Sequence, residues 1–437
     1  MNSEADTAQA RKPEEANFRW NFAVNMMDIS FYMLGMNLVS TSTILPLLVS
    51  RLTPSKIAVG LVPTLFSLGF LLPQLFTASY AEGLRRKKPF IMWVSGFGER
   101  LPWLFIGLAV ALFANSSPAL TLGLMYFFLL AASTSAGVTT PAWYDLIAKA
   151  IPLQYRGLWA GVSFGLGAFM GIAGSALAGT ILTEWAFPTN YALCFVLAFI
   201  ALMFSYWGLS LNREADSPVV KPQTSLWSYF KRLPRLLRRD RNYLAFLISR
   251  SVANLGGMAS GFFIVYGAER FGVSGAQAGA LTATLVGSQT VMNLLWGVLG
   301  DRKGHKLVLA GSTFAMALAA LAALLIPSPL VLWVIFFMVG AVGAGDNVSG
   351  LNIILEFCAP EDRPTYIGLT NTLLAPFRSF APLIGGWLAT WLGYPPLFLV
   401  AFLFSLLGGS LLSWWLREPR HEDNTAPLDP GVALASE

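Results

Sequence analysis

Long apolar runs alternate with short polar stretches along almost the whole chain. A helix that crosses a bilayer needs about 20 mostly apolar residues. Runs that satisfy this requirement occur at 22–49, 57–80, 90–114, 119–147, 157–183, 191–211, 243–266, 276–299, 307–326, 330–357, 367–392 and 396–416. The pattern therefore predicts an all-α membrane protein with twelve transmembrane helices, numbered here as spans 1 to 12.

The polar stretches divide these spans into two groups of six. We expect an N-terminal tail at 1–21, a first bundle at 22–211, a linker at 212–242, a second bundle at 243–416 and a C-terminal tail at 417–437. The linker mixes leucines and aromatic residues with bases, which is typical of a helix lying on an anionic leaflet. A basic segment that binds a partner protein is the alternative.

Composition and charge support a membrane protein and give its orientation. Charged residues make up 12% of the chain and hydrophobic residues 55%, far from the averages of soluble domains. Of the 29 Lys and Arg, all but six lie in the two tails and in one set of loops; the exceptions are Arg51, Lys56, Arg100, Arg250, Arg270 and Arg378. The positive-inside rule therefore places both termini and the linker in the cytoplasm of a multi-pass cell-membrane protein. The first twenty residues lack the apolar core of a signal peptide.

A charged motif between spans 8 and 9 occurs in a weaker form between spans 2 and 3. The later copy contains Gly297, Gly300, Asp301, Arg302, Gly304, His305 and Lys306, and the earlier copy contains Glu82, Arg86 and Lys87 at equivalent positions. We expect Gly297 and Gly300 to permit close approach of helices, and Gly304 to adopt a positive φ. Other pairs repeat at the same offset, among them Gly60 with Gly279, and the halves end alike at Arg213-Glu214 and Arg417-Glu418. The sequence thus indicates a duplicated six-helix unit.

The later motif resembles the cytoplasmic loop motif of the major facilitator superfamily. This resemblance covers residues 22–418 and implies two pseudo-symmetric six-helix bundles that move about a central cavity lined by spans 1, 4, 7 and 10. It also implies that Asp145 meets Arg86 and that Glu356 meets His305, as contacts of a cytoplasmic gate. The Gly-Pro pair typical of antiporters is missing from span 5, so the resemblance places no subfamily.

Six ionisable residues lie deep in predicted spans, namely Asp28, Glu99, Arg100, Arg250, Asp346 and Arg378. A charge in mid-membrane costs at least about 2.5–3.5 kcal/mol, so each is a candidate functional residue. Asp346, among small residues of span 10, is the preferred coupling carboxylate, and Asp28 is the next candidate. The structural alternative for Asp346 is a fixed ion pair with Arg378 or Arg250.

Polar residues extend these candidates along helix faces. Asn25 lies one turn before Asp28, Asn254 one turn after Arg250, and Asn371 two turns before Arg378. We expect Arg250 to hold a substrate carboxylate or phosphate, or to act as the counter-ion of Asp28. Glu99 and Arg100 are adjacent in sequence and should not face one another on an α-helix. Contacts to spans 1 or 2 are expected for them instead.

These features predict a secondary active transporter of a small solute, driven by a proton or monovalent-cation gradient. No phosphate-binding glycine loop is present, and the histidines and cysteines are not spaced for a metal site, so we expect no cofactor and no enzyme activity. We expect a monomer that contacts the lipid bilayer and no nucleic acid. The alternatives are a lipid or lysolipid transporter or flippase on the same fold, and a sensor that does not transport.

Overall fold

The computed structural model describes residues 2–214, 240–358 and 363–419. These residues form helices joined by short turns, with no β-strand among them. The basic part of the linker, predicted to lie on a membrane surface, falls outside the described residues, as does most of the predicted C-terminal tail.

The first half contains eight α-helices and one π-helical turn. In chain order they are α1 (Asn2–Leu38), α2 (Ile44–Leu52), α3 (Lys56–Glu82), α4 (Lys88–Val94), the π-helical turn Ser95–Arg100, α5 (Leu101–Phe113), α6 (Pro118–Ala150), α7 (Leu153–Glu184) and α8 (Thr189–Ser210). The second half contains α9 (Arg241–Gly256), a 3₁₀ turn at Gly257–Ala259, α10 (Phe262–Phe271), α11 (Gly275–Lys303), α12 (His305–Leu325), α13 (Val331–Ser349), α14 (Asn352–Glu356), α15 (Arg363–Trp391) and α16 (Tyr394–Trp414).

Each predicted span coincides with one helix or with consecutive helical segments. The main difference is at the N-terminus, where α1 begins at Asn2 rather than near residue 22. Residues 3–12 are rich in Ala, Gln, Lys and Arg, which have high helix propensity, so the polar segment continues the helix of span 1.

Nine helical runs of the described residues are long and apolar enough to cross a membrane. Large apolar side chains are exposed on them, for example Trp93 at 72% and Phe169 at 67%. Such exposure is unfavourable in water and is expected where a helix faces lipid. The structure confirms an all-helical membrane protein, and the count of twelve crossings stays a prediction.

The described chain forms two compact units. Unit 1 comprises residues 2–53, 68–214 and 274–283, and unit 2 comprises 54–67, 240–273, 284–358 and 363–419. The boundary between the units falls within α3 and within α11. In each of these helices, the first turns belong to one unit and the remaining residues belong to the other. A Cβ at Gly60 would overlap the Pro382 carbonyl, and a Cβ at Gly279 would overlap Gly179, so these equivalent glycines both permit close packing.

Helix packing repeats between the units. In unit 1, α1 packs on α7 and α8, and α5 packs on α6 and α8. In unit 2, α9 packs on α15 and α16, and α12 packs on α13 and α16. The leading span of each half is also interrupted in its middle, after Leu38 in unit 1 and after Gly256 in unit 2. Ser and Thr residues at 40–43 and glycines at 256, 257 and 261 favour these breaks, because both residue types weaken helices.

Candidate functional site

Unit 1 contains a cavity of about 310 Å³ bordered by α1, α6 and the helical run from Lys88 to Phe113. Its lining is mostly apolar and includes Asp28, Tyr32, Glu99, Arg100, Trp143 and Tyr144. An apolar chamber with a few converging polar groups is the usual form of a small-molecule site. Three of the six ionisable residues predicted inside the membrane meet here.

Asp28 is buried on α1 and is held by neutral donors. Ser205 Oγ donates to Asp28 Oδ1 at 2.6 Å, and Trp143 Nε1 donates to Asp28 Oδ2 at 3.3 Å. The Ser205 hydroxyl also accepts a long hydrogen bond of 3.4 Å from Arg100 Nη2. Asp28 and Arg100 therefore both form hydrogen bonds with the Ser205 hydroxyl, and they do not form a direct ion pair with each other.

Glu99 and Arg100 end the π-helical turn Ser95–Arg100. Arg100 Nη1 donates to Glu99 Oε2 at 2.8 Å, and both side chains are buried. The expectation that these neighbours do not face one another is wrong. The wider π turn changes the angle between successive side chains, and the long Arg100 side chain folds back toward Ser95 and Glu99. π turns of this kind are frequent at functional sites.

The contacts expected for Glu99 and Arg100 are found in part. Tyr32 on α1 lines the same cavity as Glu99, which agrees with the expected proximity to span 1. The guanidinium of Arg100 instead turns to α8, where it lies 5.4 Å from the centre of the Tyr206 ring. A cation over an aromatic face is stabilised by the ring quadrupole.

Asn25 forms a reciprocal amide pair rather than extending the polar face of Asp28 into the cavity. Asn25 Nδ2 donates to Asn212 Oδ1 at 2.6 Å, and Asn212 Nδ2 donates to Asn25 Oδ1 at 2.9 Å. Both side chains are buried. The pair ties α1 to the end of α8, a structural role that helical spacing alone does not distinguish from cavity lining.

Unit 2 brings together the other three ionisable residues. Arg250 Nη2 lies 2.6 Å from Asp346 Oδ1, and Arg378 Nη2 lies 3.0 Å from Asp346 Oδ2. The two arginines differ in exposure, with 9% of the Arg250 side chain exposed and 50% of the Arg378 side chain. Arg250 thus pairs with Asp346 rather than with Asp28. Asn254 is half-buried one turn beyond Arg250, and Asn371 is exposed on α15.

The two clusters carry opposite net charge when all six residues are ionised. Two acids and one base lie in unit 1, whereas one acid and two bases lie in unit 2. The six charges cancel as a set, as the sequence predicts, but they do not cancel within either cluster. Each cluster therefore retains one charge that a mobile ion or a ligand could neutralise.

The later charged motif forms the end of α11 and the start of α12. Asp301 and Arg302 lie exposed in the last turn of α11, and Gly304 is the single residue between the helices. Gly304 has φ +96°, which confirms the predicted positive φ. Gly300 lies against the His305 ring, as expected, but the space around Gly297 is open. The predicted close approach at Gly297 is wrong because that glycine lies on a partly exposed face of α11.

The predicted gate contacts are described only in part. His305 Nδ1 lies 3.0 Å from Ser349 Oγ, and its pairing with Glu356 stays a prediction. Asp145 lies 3.5 Å from Lys87 Nζ and 3.2 Å from Lys149 Nζ. The contact of Asp145 with Arg86 also stays a prediction, and the side chain of Glu82 lies outside the described residues.

Two carboxylates that the sequence did not single out as site residues stabilise the ends of the motif loops. Glu214 accepts hydrogen bonds from the backbone N–H groups of Lys87 at 2.7 Å and Lys88 at 2.9 Å, at the start of α4. The carboxylate of Glu418 lies over Gly304 at the start of α12. Anions are favoured at helix N-termini. Both residues lie in the sequence pairs that end the two halves alike, Arg213-Glu214 and Arg417-Glu418, and this repeat could have identified them.

Comparison with known proteins gives a family-model match over the second half of the chain and two partial alignments with curated relatives. Residues 246–431 match the model of the Major Facilitator Superfamily. The chain is 27% identical over 157 residues to "Multidrug resistance protein MdtG" of Dickeya zeae (strain Ech586), covering 34% of this chain and 38% of that protein. It is 26% identical over 258 residues to "Solute carrier family 22 member 18" of Mus musculus, covering 56% and 61% of the two chains. The alignments thus span less than two thirds of either relative.

The fold extends the similarity over most of the chain. The structure of a D-xylose-proton symporter is similar with a TM-score of 0.67 at 12% identity, covering 92% of this chain and 99% of that one. Identity at this level shows a shared fold only.

Proposed function

We propose that the chain is a member of the major facilitator superfamily and a secondary active transporter of a small solute. The family-model match over residues 246–431 and the shared fold support this proposal. Transport is coupled to a proton or a monovalent cation. The observation that carries the proposal is the cluster of two carboxylates and one guanidinium beside the cavity of unit 1. Its excess negative charge is costly in a low-dielectric site unless a cation neutralises it.

Within this cluster we assign cation coupling to Asp28. Glu99 already pairs with Arg100, whereas Asp28 accepts from Ser205 and Trp143, which carry no charge. Asp346, which the sequence favours for coupling, is bound by two guanidinium groups that stabilise its ionised form. The charged groups around Asp28 in the cavity lining are Glu99 and Arg100, so proton uptake at Asp28 would leave a neutral cluster.

The proposal is tested by transport in vesicles that contain the full-length protein. A panel of sugars, nucleosides, amino acids, organic acids and organic cations is screened for accumulation driven by a proton or sodium gradient. We expect Asp28→Asn to abolish gradient-driven accumulation and to retain exchange of the same solute, because the variant mimics the neutral form. Glu184→Gln, which removes an exposed acid at the end of α7, should behave like the parent protein.

Two results would contradict these assignments. Accumulation by Asp28→Asn with unaltered dependence on pH and sodium would remove Asp28 as the coupling residue and return Asp346 to that role. Failure of every solute to move under any gradient, with correctly folded protein, would contradict transport itself.

A further inference from the structure

Arg378 is a half-exposed guanidinium in a predicted membrane span, and one carboxylate is shared between it and a second arginine. Asp346 uses one oxygen for Arg250 and the other for Arg378. Since Asp346 carries a single charge, the three residues keep a net positive charge. An uncompensated positive charge inside a membrane protein is costly and is retained when it has a function.

The two arginines differ in exposure, and this difference shows which of them carries the accessible positive charge. The Arg250 side chain is 9% exposed and makes the shorter contact, at 2.6 Å, so it is the buried partner of Asp346, whose own side chain is 22% exposed. The Arg378 side chain is 50% exposed and contacts Asp346 through Nη2 at 3.0 Å. A guanidinium has five N–H donors in a planar fork. Contact through one nitrogen leaves the other donors of Arg378 able to bind a second anion.

Asp346 and Arg250 also fix the orientation of that fork. A carboxylate that bridges two guanidinium groups restricts the rotamers of both, so the free donors of Arg378 are held ready for a ligand. Asn371 is exposed on the same helix two turns earlier and offers an amide for a neutral part of the ligand. Arginine binds carboxylate and phosphate through paired hydrogen bonds, which makes it selective for these groups.

We propose, on the basis of the proposed transport function, that Arg378 binds a carboxylate or phosphate group of the transported solute. The Arg250 and Asp346 pair positions Arg378 and is not itself the binding group. The solute is therefore an organic anion, or a zwitterion with an anionic end, and its negative charge neutralises the excess positive charge of the unit 2 cluster.

The test measures binding to purified full-length protein by the ligand-dependent rise in melting temperature. The probes are matched pairs that differ in charge: benzoate and benzamide, glutamate and glutamine, and glucose 6-phosphate and glucose. We expect at least one anionic member to stabilise the parent protein and its neutral partner to have no effect. Arg378→Gln should weaken the apparent affinity by about tenfold or more, because a charge-assisted paired contact is lost.

Two further variants make the result specific. Arg270→Gln removes an exposed arginine from the end of α10 and should bind like the parent protein. Arg378→Lys keeps the charge but loses the fork, so its affinity should lie between those of the parent and Arg378→Gln. Melting temperatures without ligand establish that each variant is folded. Anion binding that survives Arg378→Gln, or equal stabilisation by neutral partners, or no stabilisation by any anion, would overturn the proposal.

A lipid phosphate presents the same chemistry as a free solute, and the two sources are separated in nanodiscs. Stabilisation by phosphatidylglycerol over phosphatidylcholine that requires Arg378 would support the site with a lipid as its ligand. Uptake into vesicles then separates this proposal from the transport proposal. An anion that binds through Arg378 but never crosses the membrane supports the site and contradicts transport. Solutes that accumulate equally with and without Arg378 support transport and contradict the site.

Discussion

At the scale of single residues, burial distinguishes two arginines that look equivalent in the sequence, where each lies within an apolar run. Arg250 and Arg378 both contact Asp346, but Arg250 is buried and Arg378 is half exposed. Removing one partner of a buried ion pair leaves the other charge unsolvated and costs far more than removing a partner that reaches solvent. The shared carboxylate makes this difference measurable within a single cluster.

We predict that Arg250→Ala lowers the free energy of unfolding by about 2 kcal/mol, because Asp346 keeps its contact with Arg378 but loses a short charge-assisted hydrogen bond to a buried guanidinium. Arg378→Ala should lower it by at most about 1 kcal/mol, since its exposed contact is screened. Chemical denaturation of both variants in the same detergent measures the difference. A double variant, Arg250→Ala with Asp346→Ala, should recover part of the loss. Equal losses for the two single variants would contradict this assignment of roles.

At the scale of helices, one extra residue places the charges beside the cavity of unit 1. The π-helical turn Ser95–Arg100 interrupts an otherwise α-helical run and carries Glu99 and Arg100 at its end. Such a turn is a one-residue insertion into an α-helix, and it leaves the flanking turns in place. Phe97 is 64% exposed within the turn, so its side chain contributes little to packing.

We predict that deleting Phe97 converts the turn to α-helix and abolishes transport while the protein still folds. The deletion would rotate Glu99 and Arg100 relative to Asp28 and Ser205. Phe97→Ala, which keeps the turn, should transport like the parent protein. Circular dichroism and gel filtration establish folding, and vesicle uptake measures activity. Normal uptake by the deletion variant would show that the turn is not required to place these groups.

Two glycines of the motif loop differ in a way that the motif alone does not show. Gly304 has φ +96° and ψ +151° and lies under the Glu418 carboxylate, whereas Gly297 lies in α11 with open space around it. The backbone conformation of Gly304 is available to glycine almost alone.

We predict that Gly304→Ala destabilises the protein by about 1–3 kcal/mol, because alanine is strained at this φ and its Cβ would overlap Glu418. Gly297→Ala is the matched control and should be neutral or stabilise by about 0.5–1 kcal/mol, since alanine favours a helix interior. Melting temperatures of the two variants give the comparison. Comparable destabilisation by both would mean that Gly297 has a packing role after all.

At the scale of the whole molecule, the sequence predicted the parts of the fold that depend on local pattern. Apolar run lengths predicted the helices to within a few residues except at the start of α1, which begins at Asn2, and the repeat from Gly60 to Gly279 indicated the duplication. Long-range contacts were less predictable. Nothing in the spacing of Ser205 or Trp143 indicates that they bind Asp28, because each lies in an apolar run of ordinary composition. The contact between Glu99 and Arg100 was missed because a π turn breaks the α-helical spacing on which the expectation rested.

The sequence also could not separate structural charges from functional ones. Asp28 and Asp346 look equivalent as acids in apolar runs, and their difference lies in their partners, two neutral donors for one and two guanidinium groups for the other. Likewise, Asn25 and Asn371 both lie on polar helix faces, yet one is buried in an amide pair and the other is exposed. Only the three-dimensional arrangement assigns these residues to packing or to a site.

Alternation between conformational states of a transporter involves the whole molecule. Substitution of Asp301, the exposed acid of the charged motif, tests whether that residue contributes to it. Asp301 lies exposed in the last turn of α11, so Asp301→Asn should change the free energy of unfolding by no more than about 0.5 kcal/mol. We predict that transport nevertheless falls, because we expect the motif acid to stabilise one arrangement of the motif loops rather than the fold. Glu214→Gln is the contrasting variant: its buried carboxylate caps α4, so its loss should lower stability as well as transport. Turnover per folded molecule in vesicles separates the two effects, and unchanged turnover for Asp301→Asn at equal protein level would remove Asp301 from any role in alternation.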